Sequence, residues 1–287
     1  MYPAPFEYHR ALSVSEALAL LAQYGDEAKI LAGGHSLIPV MKLRFASPAH
    51  LVDIARIPGL AGITEGDGMI RIGAATRHAD VVSSPIVRAK APLLAEAASQ
   101  IGDPLIRNMG TIGGSVAHAD PGADLPAVML ALGATLVATS QAGSRTIAAD
   151  DFFPDVFMSA LRPGELLTEI RIAEQGAGAA YEKRADPASG YAIVGIAVQL
   201  ASAGGTISSV RVGMTGLGPK AMRLAGVEAA LEGQPVSGAT ADAAASRAAE
   251  GIMFIDDARG SAAYKANLAR VHAGRAIARA CERAASR

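Results

Sequence analysis

The sequence predicts an α+β fold of about two domains, because 287 residues exceed the roughly 150 residues that a domain commonly has. Hydrophobic residues make up 51% of the chain, which is enough for a real core and excludes a disordered protein. Candidate strands and helices follow one another without strict alternation, and this favours α+β over a doubly wound parallel sheet.

The first subdomain is expected over residues 1–57. Residues 13–16 have the form of a capping box, so a helix should begin there, and Gly25 is suited to end it. Short strands are expected at 29–32 and at 50–54.

The second subdomain is expected over residues 58–176. Residues 65–68 indicate a hairpin turn, Thr76 is expected to cap a helix, and a further helix should run from Pro85 to about residue 100. A long connection rich in Gly, Asp and Pro is then expected over 110–124. Next come a helix at 126–132 and strands at 134–139, 145–148 and 165–172.

The C-terminal domain is expected over residues 177–287, after a linker at 176–178. Three neighbouring strands with short connections predict an antiparallel meander at 179–183, 191–201 and 207–215. The remainder is rich in Ala and predicts helices at 221–231, 241–250 and 261–285. Tyr264, Leu268 and Val271 form an apolar stripe on the last helix and should pack on the rest of the protein.

Composition excludes several classes of function. The formal net charge of −1 leaves no basic field for a nucleic-acid backbone. The longest apolar stretch, 125–138, is shorter than the roughly 20 residues of a membrane span, and no secretory signal is read, so we expect a soluble, cytoplasmic protein. Cys281 is the only cysteine, so this chain cannot ligate an iron–sulfur cluster through cysteines.

Most of the familiar catalytic templates do not occur in the sequence. The six histidines show no metal-ligand spacing, so no metal site is expected. Residues 216–221 fit the pattern Gly-x-Gly-x-x-Ala between a strand and a helix, which is the context of a dinucleotide fingerprint. Pro219 lacks a backbone donor, and no acidic strand end follows, so a strand-to-helix turn is the preferred interpretation.

Two other glycine segments are more informative as a pair. Residues 32–36 follow a buried strand, and residues 111–115 lie about 80 positions later. Consecutive small residues let successive main-chain N–H groups point into one concavity that binds an anion. Each segment alone is also compatible with a simple tight turn. Together they indicate a diphosphate held from two sides without Lys or Arg.

These segments closely resemble the FAD-binding medium subunits of aerobic carbon monoxide dehydrogenases. The residues that carry the resemblance are AGGHSLIPVMKLR at 32–44, DPLIRNMGTIGGS at 103–115, Asp120-Pro121, PGELLTEI at 163–170 and YEKR at 181–184. The turn at 216–219 also resembles the C-terminal domain of this family. The resemblance covers essentially the whole chain.

The resemblance implies a fold of the vanillyl-alcohol-oxidase (PCMH) type. Two α+β subdomains would hold FAD, and the C-terminal domain would combine a three-stranded antiparallel sheet with helices.

The family pattern also implies a set of FAD-binding residues. The diphosphate and ribityl chain would lie along Lys29, Ile30, Leu31, Ala32, Gly33, Gly34, His35, Ser36 and Leu37, and along Thr111, Gly114, Ser115 and Ala117. Ile101 and Leu161 would make apolar or main-chain contacts. Asp124 would bond the cofactor, Lys183 would lie near the isoalloxazine, and Tyr191 would lie against it. A core strand residue is the alternative interpretation of Tyr191.

The implied function is electron transfer in a molybdenum hydroxylase, with no catalytic acid or base in this chain. A large subunit would hold the molybdenum cofactor, and a small subunit would hold two [2Fe–2S] clusters. The complex would be a dimer of heterotrimers. FAD would pass electrons to an external acceptor, and a peripheral contact with a quinone is compatible with this role. A stand-alone flavin oxidoreductase, an NAD(P)-dependent dehydrogenase and a scaffold without cofactor remain as alternatives.

Overall fold

The computed structural model describes residues 1–176, 178–257 and 260–286, so Ala177 of the predicted linker lies outside the described residues. Within these ranges the chain forms three β-sheets, each packed against helices. The predicted α+β class is confirmed.

The first sheet is parallel and has the strand order β1-β3-β2. Its strands are β1 (Glu7–Arg10), β2 (Ala28–Leu31) and β3 (His50–Asp53). Its helices are α1 (Val14–Tyr24) and α2 (Leu37–Lys42), and a short 3₁₀ helix (Gly25–Glu27) follows α1. The sequence did not predict β1, which is short and largely exposed.

The capping signals of α1 are confirmed. Ser13 is the N-cap, and its Oγ accepts a hydrogen bond from the Glu16 main-chain N–H at 3.1 Å. Gly25 follows the helix with a φ of 51°, a conformation that glycine adopts without strain.

The second sheet has the antiparallel order β4-β5-β8-β6-β7. Its strands are β4 (Ile63–Gly66), β5 (Met69–Gly73), β6 (Thr135–Ser140), β7 (Gly143–Ala148) and β8 (Leu166–Ala173). Asp67 and Gly68 both have positive φ, 55° and 71°, as a two-residue hairpin turn of type I′ requires. The predicted hairpin is therefore confirmed.

Seven helices of the described residues fall between β5 and β8 along the chain. They are α3 (His78–Ser83), α4 (Pro85–Lys90), α5 (Pro92–Ser99), α6 (Pro104–Met109), α7 (Ile112–His118), α8 (Asp124–Leu132) and α9 (Ala149–Phe152). The predicted single helix from Pro85 is wrong. Pro92 has no main-chain N–H to donate within a helix, so the helix is interrupted at Ala91 and two helices form.

Two further expectations for this region are wrong. Thr76 does not cap a helix, because its hydroxyl instead donates to the Gly62 carbonyl and accepts from the Gly62 N–H. The segment 110–124 is not only a connection, because it contains α7. Thr111 is the N-cap of α7, so the second glycine segment is the first turn of a helix.

The C-terminal sheet is antiparallel with the order β12-β11-β10-β9. Its three long strands match the predicted meander, and a two-residue strand is added: β9 (Gly178–Ala185), β10 (Ala192–Ala203), β11 (Thr206–Thr215) and β12 (Met222–Arg223). The helices are α10 (Ala225–Leu231), α11 (Gly238–Ala245) and α12 (Ala262–Ala285). The first two are shorter than predicted, because Met222–Arg223 joins the sheet and residues after Ala245 form turns.

The turn at 216–221 joins β11 to β12 rather than a strand to a helix. Gly216 has a φ of 91°, and a Cβ there would lie 2.5 Å from the Ile193 carbonyl oxygen. The turn therefore serves the close approach of two strands, and the structural context of a dinucleotide fingerprint is missing.

The predicted apolar stripe of α12 is wrong in two of its three positions. Leu268 is buried, but Tyr264 and Val271 are 45% and 38% exposed. The buried face is lined by small residues instead, which let the helix pack closely on the sheet: Ala269, Ala273, Ala276 and Ala280. Among the described residues, no helix combines the length and apolar character of a membrane span.

The C-terminal domain and the second subdomain share one core. Ala179, Tyr181 and Ala197 of the C-terminal sheet belong to the same buried cluster as the residues of α5 and α8. On the surface, the Glu96 carboxylate of α5 pairs with Arg279 at 3.0 Å and with Arg283 at 2.6 Å, both on α12.

Candidate functional site

The first glycine segment lies between the end of β2 and the start of α2. Within the described ranges, none of the main-chain N–H groups from Gly33 to Ser36 has an acceptor in hydrogen-bond reach. Gly34 has a φ of 74°, so the chain curves and these donors form a concave row. Consecutive N–H groups without an acceptor in the protein are suited to bind an anion such as a diphosphate.

The second glycine segment uses its donors inside the protein. The N–H of Ile112 donates to the Thr76 carbonyl at 2.9 Å, and that of Gly113 to the Ala74 carbonyl at 2.8 Å. The N–H of Gly114 donates to Thr111 Oγ1 at 3.1 Å. The expectation that both segments present rows of free N–H groups therefore holds only for the first. The second offers the half-buried Ser115 side chain and the exposed surface of Gly114.

The two segments contact each other, as the sequence predicts. A Cβ added to Gly33 would lie 2.2 Å from the Met109 carbonyl oxygen and 2.8 Å from the Gly110 Cα. A Cβ on Gly114 would lie 3.9 Å from the Ala32 Cβ. The lack of side chains therefore brings the two main chains together and leaves the donors of the first segment uncovered. This cradle fits a diphosphate, and so fits the FAD that the resemblance implies.

Tyr191 brings the C-terminal domain to this cradle. Its ring packs on Gly122, where an added Cβ would lie 3.4 Å from Tyr191 Cδ1, and the Ser36 side chain lies beside its hydroxyl. Burial and the nearby Asp120 carboxylate raise the pKa of the hydroxyl. The ring is still 37% exposed, so Tyr191 is not a core residue and can face a ligand.

The turn before Tyr191 is held by its own side chains. Asp186 Oδ1 accepts hydrogen bonds from the N–H groups of Ala188 and Ser189, each at 2.9 Å. Gly190 follows with a φ of 72°. The position of Tyr191 is thus fixed by a local turn as well as by β10.

Asp124 and Lys183 form a buried ion pair, with Lys183 Nζ 2.8 Å from Asp124 Oδ2. The Tyr181 hydroxyl donates to Asp124 Oδ1 at 2.5 Å, and Lys183 also donates to the Gln100 carbonyl at 3.0 Å. Burial raises the pKa of the Asp124 carboxyl, and the Lys183 ammonium opposes that rise. Burial, with the Asp124 charge, also raises the pKa of Tyr181 well above its ordinary value.

The remaining candidate residues have different settings in the structure. Lys29 is exposed on β2, Ile30 and Leu31 are half-buried there, and Leu37 is the first residue of α2. Ile101, Ala117 and Leu161 are partly buried against the central core. His35 is exposed at the turn of the first segment, and Thr111, the first residue of the second segment, is buried.

Sequence reasoning missed His78, which is buried directly beneath Gly110. A Cβ on Gly110 would lie 2.9 Å from His78 Cδ2, and His78 Nδ1 has no hydrogen-bond partner among the described residues. Burial, with smaller effects of His35 and Arg107, lowers its pKa to about 4. An isolated histidine on a short helix carries no pattern that could reveal this position.

Two family models match the chain. The FAD binding domain in molybdopterin dehydrogenase matches residues 4–174, and the CO dehydrogenase flavoprotein C-terminal domain matches residues 179–280. The chain is 46% identical to the carbon monoxide dehydrogenase medium chain of Hydrogenophaga pseudoflava, over 99% of this chain and 100% of that one. It is 42% identical to the 6-hydroxypseudooxynicotine dehydrogenase complex subunit alpha of Paenarthrobacter nicotinovorans, over 99% and 97% of the two chains.

Comparison with solved structures agrees with these sequence matches. A chain of the carbon monoxide dehydrogenase from Hydrogenophaga pseudoflava aligns with a TM-score of 0.95 at 47% identity, covering 99% of both chains. A chain of quinoline 2-oxidoreductase from Pseudomonas putida 86 aligns with a TM-score of 0.94 at 31% identity, again over 99% of both.

Proposed function

Because this chain belongs to the FAD-binding medium subunits of carbon monoxide dehydrogenase-type molybdenum hydroxylases, we propose that it passes electrons from the iron–sulfur clusters of a partner subunit, through FAD, to an external acceptor. The observation that carries the proposal is the row of uncovered N–H donors from Gly33 to Ser36, closed against the second glycine segment. When bound, FAD supplies the ability to exchange electrons one or two at a time.

Each part of the site has a role in this proposal. Gly33, Gly34, His35 and Ser36 hold the diphosphate with main-chain donors, and Ser115 adds a hydroxyl. Tyr191 lies against the isoalloxazine and limits its contact with water.

The other candidate residues complete the binding surface. Asp124 and Lys183 hold the end of α5 and the base of the cradle in place. Surrounding contacts come from Lys29, Ile30, Leu31, Ala32, Leu37, Ile101, Thr111, Gly114, Ala117 and Leu161.

The partners in the proposal are a large subunit with the molybdenum cofactor and a small subunit with [2Fe–2S] clusters. The lone Cys281 is buried on α12, so cysteine-ligated clusters belong on another chain. Exposed apolar side chains flank both glycine segments, with Phe45 83% and Leu105 77% exposed, which suits a docking surface near the cofactor. The proposed assembly is a cytoplasmic dimer of heterotrimers, and a quinone is one candidate acceptor.

In this proposal, the large subunit determines which substrate the complex oxidises. Relatives of this chain carry the names of dehydrogenases for carbon monoxide and for 6-hydroxypseudooxynicotine, although both align over nearly the whole chain. The medium subunit therefore accommodates complexes that oxidise different substrates.

The first prediction tests the cradle with Gly33→Val. The new side chain would meet the Met109 carbonyl, so the two segments must separate, and the chain should lose at least about 90% of its FAD, a roughly tenfold effect. FAD content is measured on the complex by the flavin absorbance band and by extraction. Gly66→Val is the matched control, because Gly66 lies in exposed strand β4 with nothing within 4 Å of an added Cβ.

The same variants test the electron route in the assembled complex. With Gly33→Val, substrate should still reduce the iron–sulfur clusters, but reduction of the acceptor should stop. With Gly66→Val, both the clusters and the acceptor should still be reduced. Normal FAD content in Gly33→Val would contradict the cradle. Substrate turnover by the isolated chain would instead support a stand-alone flavin oxidoreductase.

A further inference from the structure

Three metal-ligating side chains meet on the first sheet, away from the cradle. His9 Nε2 lies 3.0 Å from His50 Nδ1. Glu7 Oε2 lies 3.5 Å from His50 Nδ1 and 3.8 Å from His9 Nε2. All three atoms therefore lie within 4.8 Å of one another.

Strand geometry explains why these side chains share a face. Glu7 and His9 are two positions apart on β1, so both project from the same side of the sheet. His50 on β3 is the register partner of Glu7, and partners in a parallel pair project to the same side. The cluster is therefore built into the pairing of β1 with β3.

The ligand atoms have the spacing that a tetrahedral metal needs. A Zn²⁺ ion about 2.0–2.1 Å from each ligand atom holds any two of them about 3.4 Å apart. The three observed distances of 3.0, 3.5 and 3.8 Å bracket this value, so small side-chain rotations would suffice.

Tyr24 supports the two imidazoles from α1. Its ring stacks on His50 with a centroid distance of 3.7 Å and an interplanar angle of 15°, and on His9 at 4.9 Å. The side chains of His9 and His50 are only 20% and 14% exposed, whereas Glu7 is 72% exposed. Two ligands are thus held in place, and the third closes the site from the solvent side.

We propose that Glu7, His9 and His50 form a binding site for a divalent transition metal of the zinc class, with water as the fourth ligand. Without metal, the N–H of one imidazole donates a hydrogen bond to the ring nitrogen of the other across the 3.0 Å contact. When the metal binds, this proton moves to the other ring nitrogen of the same imidazole, so both facing nitrogens offer lone pairs.

The site is separate from the cradle and has a structural role. His50 pairs in register with Ala28 at the start of β2, whereas the first glycine segment follows the end of that strand. A bound metal fastens the short edge strand β1 to β3. The proposal is independent of FAD binding, so the two can fail separately.

The second prediction tests this site with Zn²⁺ and the full-length chain after removal of metals by a chelator. Calorimetry should show one Zn²⁺ per chain, and the midpoint of thermal unfolding should rise with Zn²⁺ concentration. His9→Gln and His50→Gln should each weaken binding by more than about 100-fold, since loss of a direct ligand exceeds the 10–100-fold loss typical of outer partners. His118→Gln, which removes an imidazole elsewhere, should leave binding unchanged.

Glu7→Gln and Glu27→Gln form a second matched pair, because both glutamates are exposed and neither variant threatens folding. Only Glu7→Gln should weaken binding. X-ray absorption at the zinc edge should show nitrogen and oxygen ligands without sulfur. Unchanged affinity in both His9→Gln and Glu7→Gln, or a sulfur ligand, would overturn the proposal, and FAD content should be the same in every variant.

Discussion

His78 is a buried histidine that remains neutral at ordinary pH. Its side chain lies under Gly110, and burial lowers its pKa to about 4 from an ordinary value of 6.5. Protonation there would place a charge beneath the second glycine segment, near Arg107. The residue therefore ties the stability of this segment to acidity.

The third prediction concerns this pH dependence. The folded pKa lies below the unfolded value, so the unfolded chain binds more protons between pH 6.5 and about 4. The free energy of unfolding should have its full value above pH 6.5 and should fall by about 3 kcal/mol as the pH drops through this window. Urea unfolding across the pH range measures the slope, which His78→Gln should reduce. An equal acid slope in both proteins would contradict the assignment.

Residue-level prediction succeeds where one residue type carries the chemistry. The first glycine segment was readable because glycines directly after a buried strand indicate an exposed main chain. The hydrogen bonds of the second segment could not be predicted from the sequence, because the acceptors at Ala74 and Thr76 come from a distant part of the chain. For the same reason, spacing along the chain could not reveal His9 beside His50, which only strand register brings together.

At the scale of elements, the start of α8 is fixed to β9 by a buried polar group. Asp124 in the first turn of α8 accepts hydrogen bonds from Tyr181 and Lys183. With side chains only 2% and 6% exposed, Lys183 and Asp124 depend on each other for neutralisation. This contact joins the second subdomain to the C-terminal sheet.

The fourth prediction is that Lys183→Met destabilises the protein by about 3–5 kcal/mol, because it leaves the Asp124 carboxylate buried without a cation. The free energy of unfolding is measured in urea at saturating FAD. Combining Lys183→Met with Asp124→Asn should recover part of the loss, which a double-mutant cycle reports. Strict additivity of the two single changes would contradict the coupling.

Elements with strong periodicity were predicted well, and short ones were not. The long strands of the C-terminal sheet follow clear apolar runs. The six residues of α6 were not predicted. The sequence does carry a signal for this helix, because Asp103 is its N-cap, with Oδ1 accepting from the Ile106 N–H, and Pro104 is its first residue. The four residues of α9 have no such signal, since packing of Phe152 in the core stabilises them.

For the whole molecule, α12 connects the last residues of the chain to its middle. Arg279 and Arg283 both reach Glu96 on α5, and each also donates to a main-chain carbonyl of β9. The Glu96 carboxylate thus pairs with two guanidinium groups where the C-terminal domain meets the second subdomain, and Arg279 has a second carboxylate partner in Glu182 at 3.0 Å.

The fifth prediction is that Glu96→Gln lowers the free energy of unfolding by about 1–2 kcal/mol, a value reduced for the partial exposure of both arginines. Glu174→Gln is the matched control, because Glu174 pairs with Lys90 at the surface and its loss should cost less than the loss of Glu96. Chemical denaturation of both variants provides the comparison. Equal losses would show that the contact adds nothing beyond an ordinary surface pair.

The contribution of Tyr191 to the cradle has a consequence for the order of events during synthesis. The first glycine segment leaves the ribosome early, the second follows, and Tyr191 is added only when about two thirds of the chain has been made. Because chains generally fold from the N-terminus, a nascent chain holds both glycine segments before Tyr191, the residue proposed to lie against the isoalloxazine, has been added. The order of synthesis therefore places the two glycine segments of the cradle ahead of the residue that borders it.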